Sequence, residues 1–220
     1  MSKLEDAGWE IIHASLSDSV LAGLRESAFT KPGPGWRCLL DQPLVRETAG
    51  FLRAQMIATG YLPARAVAIQ AIAFDKTPAA NWKVPWHQDV LFPFANPVTT
   101  PDYDLASVKD GVDYARPPRV VLEEMLALRL HLDDCGLTDG PLRVAPGSHG
   151  QGIVKSHDLS AAARRHGESL CLATTGEALL MKPLLLHASS PASAPNHRRV
   201  LHFVFHSGAP LPERWHRAVR

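Results

Sequence analysis

The spacing of apolar residues changes character near Gly60, and this change predicts a helical N-terminal region followed by strands. Leucines recur at helical spacing behind a Ser/Asp cap in residues 19–28. Residues 42–58 repeat the helical spacing, whereas residues 6–12 fit a short strand or lead-in. We therefore expect a mostly helical region over about residues 1–60.

Short alternating or β-branched segments predict strands in the remainder of the chain. The clearest is residues 126–132 (LALRLHL), where Arg129 and His131 share one face and leucines occupy the other. Further strands are expected at residues 66–74, 86–92, 141–145, 177–181, 184–188 and 199–205, with a brief helix at residues 158–166. Helices first and many short strands afterwards predict a mainly β domain with flanking helices, built as a sandwich or open barrel.

Residues 93–118 interrupt these strands with several prolines, two tyrosines and no clear period. Structureless segments of this length are unusual inside a compact domain, so we expect a lid, with disorder as the alternative. The charges here do not indicate an anion site, because the cations are accompanied by Asp102, Asp104, Asp110 and Asp113.

Composition and charge narrow the class of protein. A chain of 220 residues fits a single domain, residues 1–220, with a full core. The net charge of +1 gives no indication of a nucleic-acid partner. The 3 cysteines are scattered and argue against disulfides and thiolate zinc sites. The N-terminus lacks an apolar signal segment and no apolar run approaches membrane-span length, so we expect a cytoplasmic protein without a membrane partner.

The tripeptide His87-Gln88-Asp89, read together with His187, is the candidate metal site. Side chains two apart on an extended segment share a face, so His87 and Asp89 can reach one metal; the tripeptide alone fits an exposed His–Asp pair equally well. His187 ends an apolar run, where an imidazole needs a metal or, alternatively, a carbonyl partner. Two imidazoles and one carboxylate leave coordination positions open, which is typical of non-haem Fe(II).

Arg198 lies eleven residues beyond His187, at the start of the last predicted strand. A cation near a metal indicates an anion between them, and a guanidinium binds a carboxylate through two hydrogen bonds. Alternation sends either Arg198 or Arg199 inward, and a surface arginine at a strand end is the remaining alternative.

Several stretches resemble the phytanoyl-CoA dioxygenase family of Fe(II)/2-oxoglutarate-dependent oxygenases. They are WHQDVLFPF (86–94), LRLHLDD (128–134), GPLRVAPGSHGQG (140–152) and LLLHASSPASAPNHRRVLHFVF (184–205). The resemblance covers roughly residues 66–205 and implies a double-stranded β-helix core of the jelly-roll, cupin-like type.

The resemblance also implies site residues. The iron ligands would be His87, Asp89 and His187, and Arg198 would bind the distal carboxylate of 2-oxoglutarate. Further side chains are expected beside the cosubstrate or in the pocket: Gln70, Lys76, Asn81, Trp82, Arg129 and His131. By alternation Gln88 should point away from the metal, and His149 is interpreted as part of a structural turn.

The implied activity is hydroxylation of a small-molecule C–H bond with O2, releasing succinate and CO2. Asp89 argues against halogenation, because a halogenase needs that position for chloride. Three alternatives stay open: a cupin-like metal enzyme that does not use 2-oxoglutarate, a non-catalytic metal-binding protein, and a metal-free ligand-binding barrel with incidental histidines. After the distal histidine, residues 188–191 (ASSP) depart from the family's usual Ser-Gly-x-Asn, which leaves the substrate open.

Overall fold

The computed structural model describes residues 2–30, 33 and 35–220. The helices are α1 Lys3–Ala7, α2 Asp18–Ala28, α3 Pro43–Ala58, α4 Arg119–Glu123 and α5 Leu159–His166, with 3₁₀ helices at Leu39–Asp41 and Ser148–Gln151. The strands are β1 Trp9–His13, β2 Gly35–Trp36, β3 Val67–Lys76, β4 Val84–His87, β5 Phe92–Phe94, β6 Asp104–Lys109, β7 Val112–Arg116, β8 Met125–His131, β9 Leu142–Val144, β10 Ser169–Cys171, β11 Glu177–Met181, β12 His187–Ser189 and β13 Arg198–His206.

The strands form antiparallel sheets that pack in layers. The larger sheet has the order β1-β11-β8-β13-β3-β2, and the smaller has the order β10-β9-β12-β4. Apolar residues of the two sheets share one core cluster, which includes Ile69 and Val204 from the larger sheet and Val144 from the smaller. Two antiparallel sheets packed in this way form the predicted jelly-roll core, and the mainly β class with flanking helices is confirmed.

Helices cover the outer faces of both sheets. Leu24 of α2 and Leu52 of α3 belong to a second cluster with Leu128 and Phe203 of the larger sheet. On the smaller sheet, α5 packs beside Leu186. These helices bury the apolar stripe that their sequence spacing predicted.

Alternation along β13 separates packing from chemistry. Leu201, Phe203 and Phe205 face the helices, whereas Arg198 and His202 face the space between the sheets. The same rule on β8 directs Arg129 inward and its flanking leucines outward. Strand period therefore explains why Arg129, Arg198 and His202 face the cavity.

Several element boundaries differ from the sequence expectation. Residues 3–7 form α1, and the strand expected near residues 6–12 is β1, which pairs with β11 at one edge of the larger sheet. The strand expected over residues 86–92 ends at His87, because the Asp89 amide donates to the Pro183 carbonyl 2.9 Å away instead of continuing the ladder.

The segment expected to be a structureless lid, residues 93–118, is largely a small sheet of order β5-β7-β6. Its hairpin turns at Asp110-Gly111, where φ is +51° and +77°, as a two-residue hairpin loop requires. The period was not recognisable because β6 is mostly exposed and carries an irregularity between Asp104 and Ser107. The Asp-Gly dipeptide was the signal that predicts this hairpin.

Among the described helices, none combines the length and apolar character needed to cross a membrane.

Replacing Phe203 by alanine should test the packing of helices on the larger sheet. Its ring is fully buried, so Phe203→Ala should lower the free energy of unfolding by about 3–5 kcal/mol in urea titrations. Phe51→Ala on α3 is the control, because that ring is 47% exposed and its loss should cost about 1 kcal/mol or less. Equal losses for the two variants would contradict this description of the core.

Candidate metal centre

His87 and His187 face each other across two neighbouring strands. They are direct partners in the antiparallel register of β4 and β12, and their ring centroids lie 4.0 Å apart. Directly opposed residues are the closest side-chain neighbours that a sheet provides. The register therefore brings together two residues a hundred positions apart in sequence.

Both imidazoles are oriented by backbone carbonyls. His87 Nδ1 lies 2.9 Å from the Pro85 carbonyl oxygen, and His187 Nδ1 lies 2.9 Å from the Leu185 carbonyl oxygen. A carbonyl only accepts, so each Nδ1 carries the proton and each Nε2 is left with a free lone pair. This outer hydrogen bond is the one that metal-binding histidines usually make.

Asp89 completes a group of three donors. Its Oδ1 lies 3.8 Å from His87 Nε2 and its Oδ2 lies 3.6 Å from His187 Nε2, and the three candidate ligand atoms all lie within 4.8 Å of one another. Burial lowers the pKa of His187 to about 3, which keeps it neutral. Burial raises the pKa of Asp89, but neighbouring imidazoles and Arg129 outweigh it and lower that pKa to about 2. These are the protonation states that a metal requires.

The donor set fits the iron expected from the sequence. Two imidazole nitrogens and one carboxylate lie within 4.8 Å of one another and line the same cavity, which is the donor set typical of non-haem Fe(II).

Gln88 braces the backbone around this site. Its amide nitrogen donates to the carbonyls of Gly152 and Leu184 at 2.8 and 2.6 Å, and its oxygen accepts from the Val154 amide at 2.9 Å. A buried glutamine with these partners has the structural role that alternation predicted for it.

The three donors open onto a cavity of about 340 Å³ between the sheets. Four of the other residues expected at the site line it: Gln70, Trp82, Arg129 and Arg198. His131 is buried but does not line the cavity. Asn81 instead binds the backbone of Ala192, at 2.9 and 2.7 Å. Lys76 is also outside the lining and donates to Ser189 Oγ and the Ser190 carbonyl.

Arg198, and not Arg199, is the inward arginine. Arg198 is 4% exposed and donates from Nη1 to the Gly140 carbonyl at 2.9 Å, and its buried Nε has no hydrogen-bond partner among the described residues. Arg199 forms a two-point ion pair with Asp133 at 2.8 Å. The guanidinium with unused donors therefore belongs to Arg198.

Two further buried cations lie near Arg198. Burial, together with Arg198, lowers the pKa of Arg129 to about 10 and that of Lys76 to about 8. In residues 2–30, 33 and 35–220, no carboxylate forms an ion pair with any of the three. Buried charges are normally paired, so Arg129 and Arg198, the two members of this cluster that line the cavity, are suited to an anionic ligand.

His202 is a site residue that the sequence reasoning missed. Its Nδ1 lies 3.4 Å from Arg129 Nη1, and its Nε2 lies 3.6 Å from Asp89 Oδ2. Because arginine only donates, Nδ1 must accept, and the ring proton then sits on Nε2 facing Asp89. The two-residue period of a strand is the signal that could have identified His202, since it lies four residues after Arg198 and hence on the same face.

The insert and the segment after β2 also supply lining residues that no motif marked: Arg37, Lys109 and Tyr114.

The comparison with protein families finds a match over residues 36–200, about three quarters of the chain, to phytanoyl-CoA dioxygenase (PhyH). The chain belongs to the phytanoyl-CoA dioxygenase family. Membership confirms the enzyme class and cofactors expected from the sequence, a non-haem dioxygenase that depends on Fe(II) and 2-oxoglutarate. No curated protein matches the chain significantly.

Solved structures show the same fold as this family member. EctD from S. alaskensis in its apoform has a TM-score of 0.66 at 17% identity, covering 99% of this chain and 84% of that one. AviO1 from Streptomyces viridochromogenes Tue57 has a TM-score of 0.64 at 17% identity, covering 96% and 95%. HygX from Streptomyces hygroscopicus, solved with nickel, 2-oxoglutarate and hygromycin B bound, has a TM-score of 0.62 at 15% identity, covering 92% and 84%.

Substitution of Gln88 should reveal how strongly the site depends on its backbone support. Gln88→Leu leaves two carbonyls and one amide without their partner, so we expect a loss of about 2–4 kcal/mol in the free energy of unfolding. Gln151→Leu, at an exposed position of the adjacent 3₁₀ helix, is the matched control and should change stability by less than about 0.5 kcal/mol. If both variants unfold at the same urea concentration as the wild type, the Gln88 side chain does not support the backbone as described.

Proposed function

We propose that His87, Asp89 and His187 bind Fe(II), that Arg198 binds the distal carboxylate of 2-oxoglutarate, and that the enzyme hydroxylates a small-molecule C–H bond. O2 is consumed, and succinate and CO2 are released. The observation that carries this proposal is the convergence of three metal donors and an arginine with unused donors in one cavity.

The protein's contribution to this chemistry is binding and orientation. When bound, iron with 2-oxoglutarate supplies the oxidising power needed to attack a C–H bond. Carbonyl bonds at Nδ1 hold both imidazoles with Nε2 toward the metal position, and His202 restrains the carboxylate of Asp89. Because Asp89 occupies the third donor position, the donor set favours hydroxylation over halogenation.

Arg198 and Arg129 supply the positive charge for the dicarboxylate. Arg198 Nη1 donates to the Gly140 carbonyl, and Nε has no partner among the described residues, so the Nε and Nη2 edge of the guanidinium can donate two parallel bonds to a carboxylate. Arg129 is connected to Asp89 through His202. We therefore propose that Arg129 binds the part of the same cosubstrate that lies next to the metal ligands.

We propose that the aromatic and apolar walls of the cavity, together with the insert, limit access of water to the reacting centre. Trp82, Phe74 and Phe92 line the cavity beside the donors. We propose that the insert, residues 93–118, is the lid over this site within a single domain of residues 1–220, and that the enzyme works in the cytoplasm. A water-poor site strengthens every charge interaction inside it.

A cupin-like metal enzyme that does not use 2-oxoglutarate is the competing function. It predicts that the enzyme functions without Arg198, and the Arg198→Ala variant tests this.

His187→Ala should abolish iron binding at this site. Loss of a direct ligand should weaken Fe(II) binding beyond the roughly 10–100-fold typical of an outer partner. Affinity is measured anaerobically by competition with a metal-chelating dye. His149→Ala is the control, because His149 contacts the Glu5 carbonyl far from the donors and should leave affinity unchanged. Unchanged affinity in His187→Ala would refute the ligand assignment.

Arg198→Ala should weaken 2-oxoglutarate binding by roughly thirtyfold or more, since it leaves a buried carboxylate unpaired. The readout is the visible charge-transfer band that forms when 2-oxoglutarate is added anaerobically to the Fe(II) protein. Arg199→Ala removes the adjacent guanidinium, which is bound to Asp133, and should keep the wild-type titration. Iron binding without any band in the wild type would favour the cupin-like function instead.

A further inference from the structure

The fold separates the charged side chains of the insert into those that line the cavity and those that do not, and their order in the sequence does not show this. Of its four aspartates, which are Asp102, Asp104, Asp110 and Asp113, none lines the cavity, whereas Lys109 does. Arg116 is turned away and is paired with Asp104, with Nε 2.6 Å from Oδ1. A segment of mixed charge therefore presents a single cation to the site.

A second cation joins Lys109 at the cavity. Arg37 also lines it, and Arg37 contributes to lowering the pKa of Lys109, although burial is the larger cause. The only carboxylate that Arg37 contacts among the described residues is Asp110, at 3.5 Å with 64% of that side chain exposed. Such an exposed pair contributes little, so a ligand can compete for Arg37.

These two cations are distinct from the pair assigned to the cosubstrate. Arg129 and Arg198 are 7% and 4% exposed, on the strands that form the cavity floor. Arg37 and Lys109 are partly exposed and lie on the solvent side. Among the described lining residues, the one carboxylate is Asp89, which is assigned to iron. The outer cations therefore have no negative charge within the site to match them.

The remaining wall of the cavity is largely apolar and aromatic. Its residues include Ile72, Phe74, Trp82, Val84, Leu91 and Tyr114. The centroid of the Tyr114 ring lies 5.2 Å from Lys109 Nζ. A ligand that spans this wall needs an apolar body.

We propose that the substrate is a small amphipathic anion, with an apolar body in contact with this wall and an anionic group, such as a carboxylate, bound by Lys109 and Arg37. This assignment rests on the proposed function, because it places the cosubstrate on Arg198 and leaves the outer cations to the substrate. It also orients the substrate, since the end opposite the anionic group is directed toward the iron ligands.

Matched acids and amides test the proposal. The probes are hexanoate and hexanamide, phenylacetate and phenylacetamide, and 3-phenylpropionate and 3-phenylpropionamide. They are titrated calorimetrically into the full-length protein loaded with Mn(II) and saturated with 2-oxoglutarate, so that the cosubstrate site is occupied. At least one acid should bind about tenfold more tightly than its amide, as expected for a charge-assisted hydrogen bond.

Lys109→Met and Arg37→Met should each remove most of this preference by weakening the acid and leaving the amide unchanged. Lys83→Met is the control, because Lys83 is exposed, lies between two lining residues and does not itself line the cavity. The proposal is overturned if acids and amides bind equally, if no acid binds at millimolar concentration, or if Lys83→Met acts like Lys109→Met. Failure of the proposed function is separately visible, because 2-oxoglutarate itself would then not titrate.

Discussion

The pairing of β4 with β12 is the constraint on which the rest of the site depends. It sets His87 directly opposite His187, and the carbonyls of Pro85 and Leu185 then fix both rings. A slip of one residue would turn one imidazole toward α5 and away from the cavity, since successive side chains point to opposite faces. β9 pairs with the other edge of β12 and holds it in the smaller sheet, so the register is fixed from both sides.

Stability and chemistry share the same strands without competing for the same positions. On β13 the odd-numbered residues Leu201, Phe203 and Phe205 pack under the helices, while His202 lies in the cavity. The outward set supplies apolar burial, which is what permits the inward set to be polar. Substrate preference can therefore change by replacing inward residues while the helix-facing core stays the same.

The convergence of His87, Asp89 and His187 could be anticipated from the sequence because each residue carried a local signal. His87 and Asp89 lie two apart and His187 ends an apolar run, but these signals left other interpretations open, and the family resemblance was needed to group the three residues as candidate ligands. Lys109 and Arg37 carried no such signal. Their positions at the cavity depend on the hairpin at Asp110 and on the segment that follows β2, and single-sequence patterns do not encode how such segments pack together. Charge counting over the insert is uninformative for the same reason, because it does not separate side chains that face the cavity from those that face solvent.

The cluster of Lys76, Arg129 and Arg198 has a consequence for the whole molecule. Three like charges held together inside a protein repel one another, and burial together with this repulsion lowers the pKa of Lys76 and Arg129. An anion bound to Arg129 and Arg198 in the cavity would supply a counter-ion for this cluster and stabilise the native state by mass action. If 2-oxoglutarate is that anion, as we propose, it contributes to the stability of the fold as well as to the reaction, and the stability of the folded enzyme rises with the local supply of dicarboxylate.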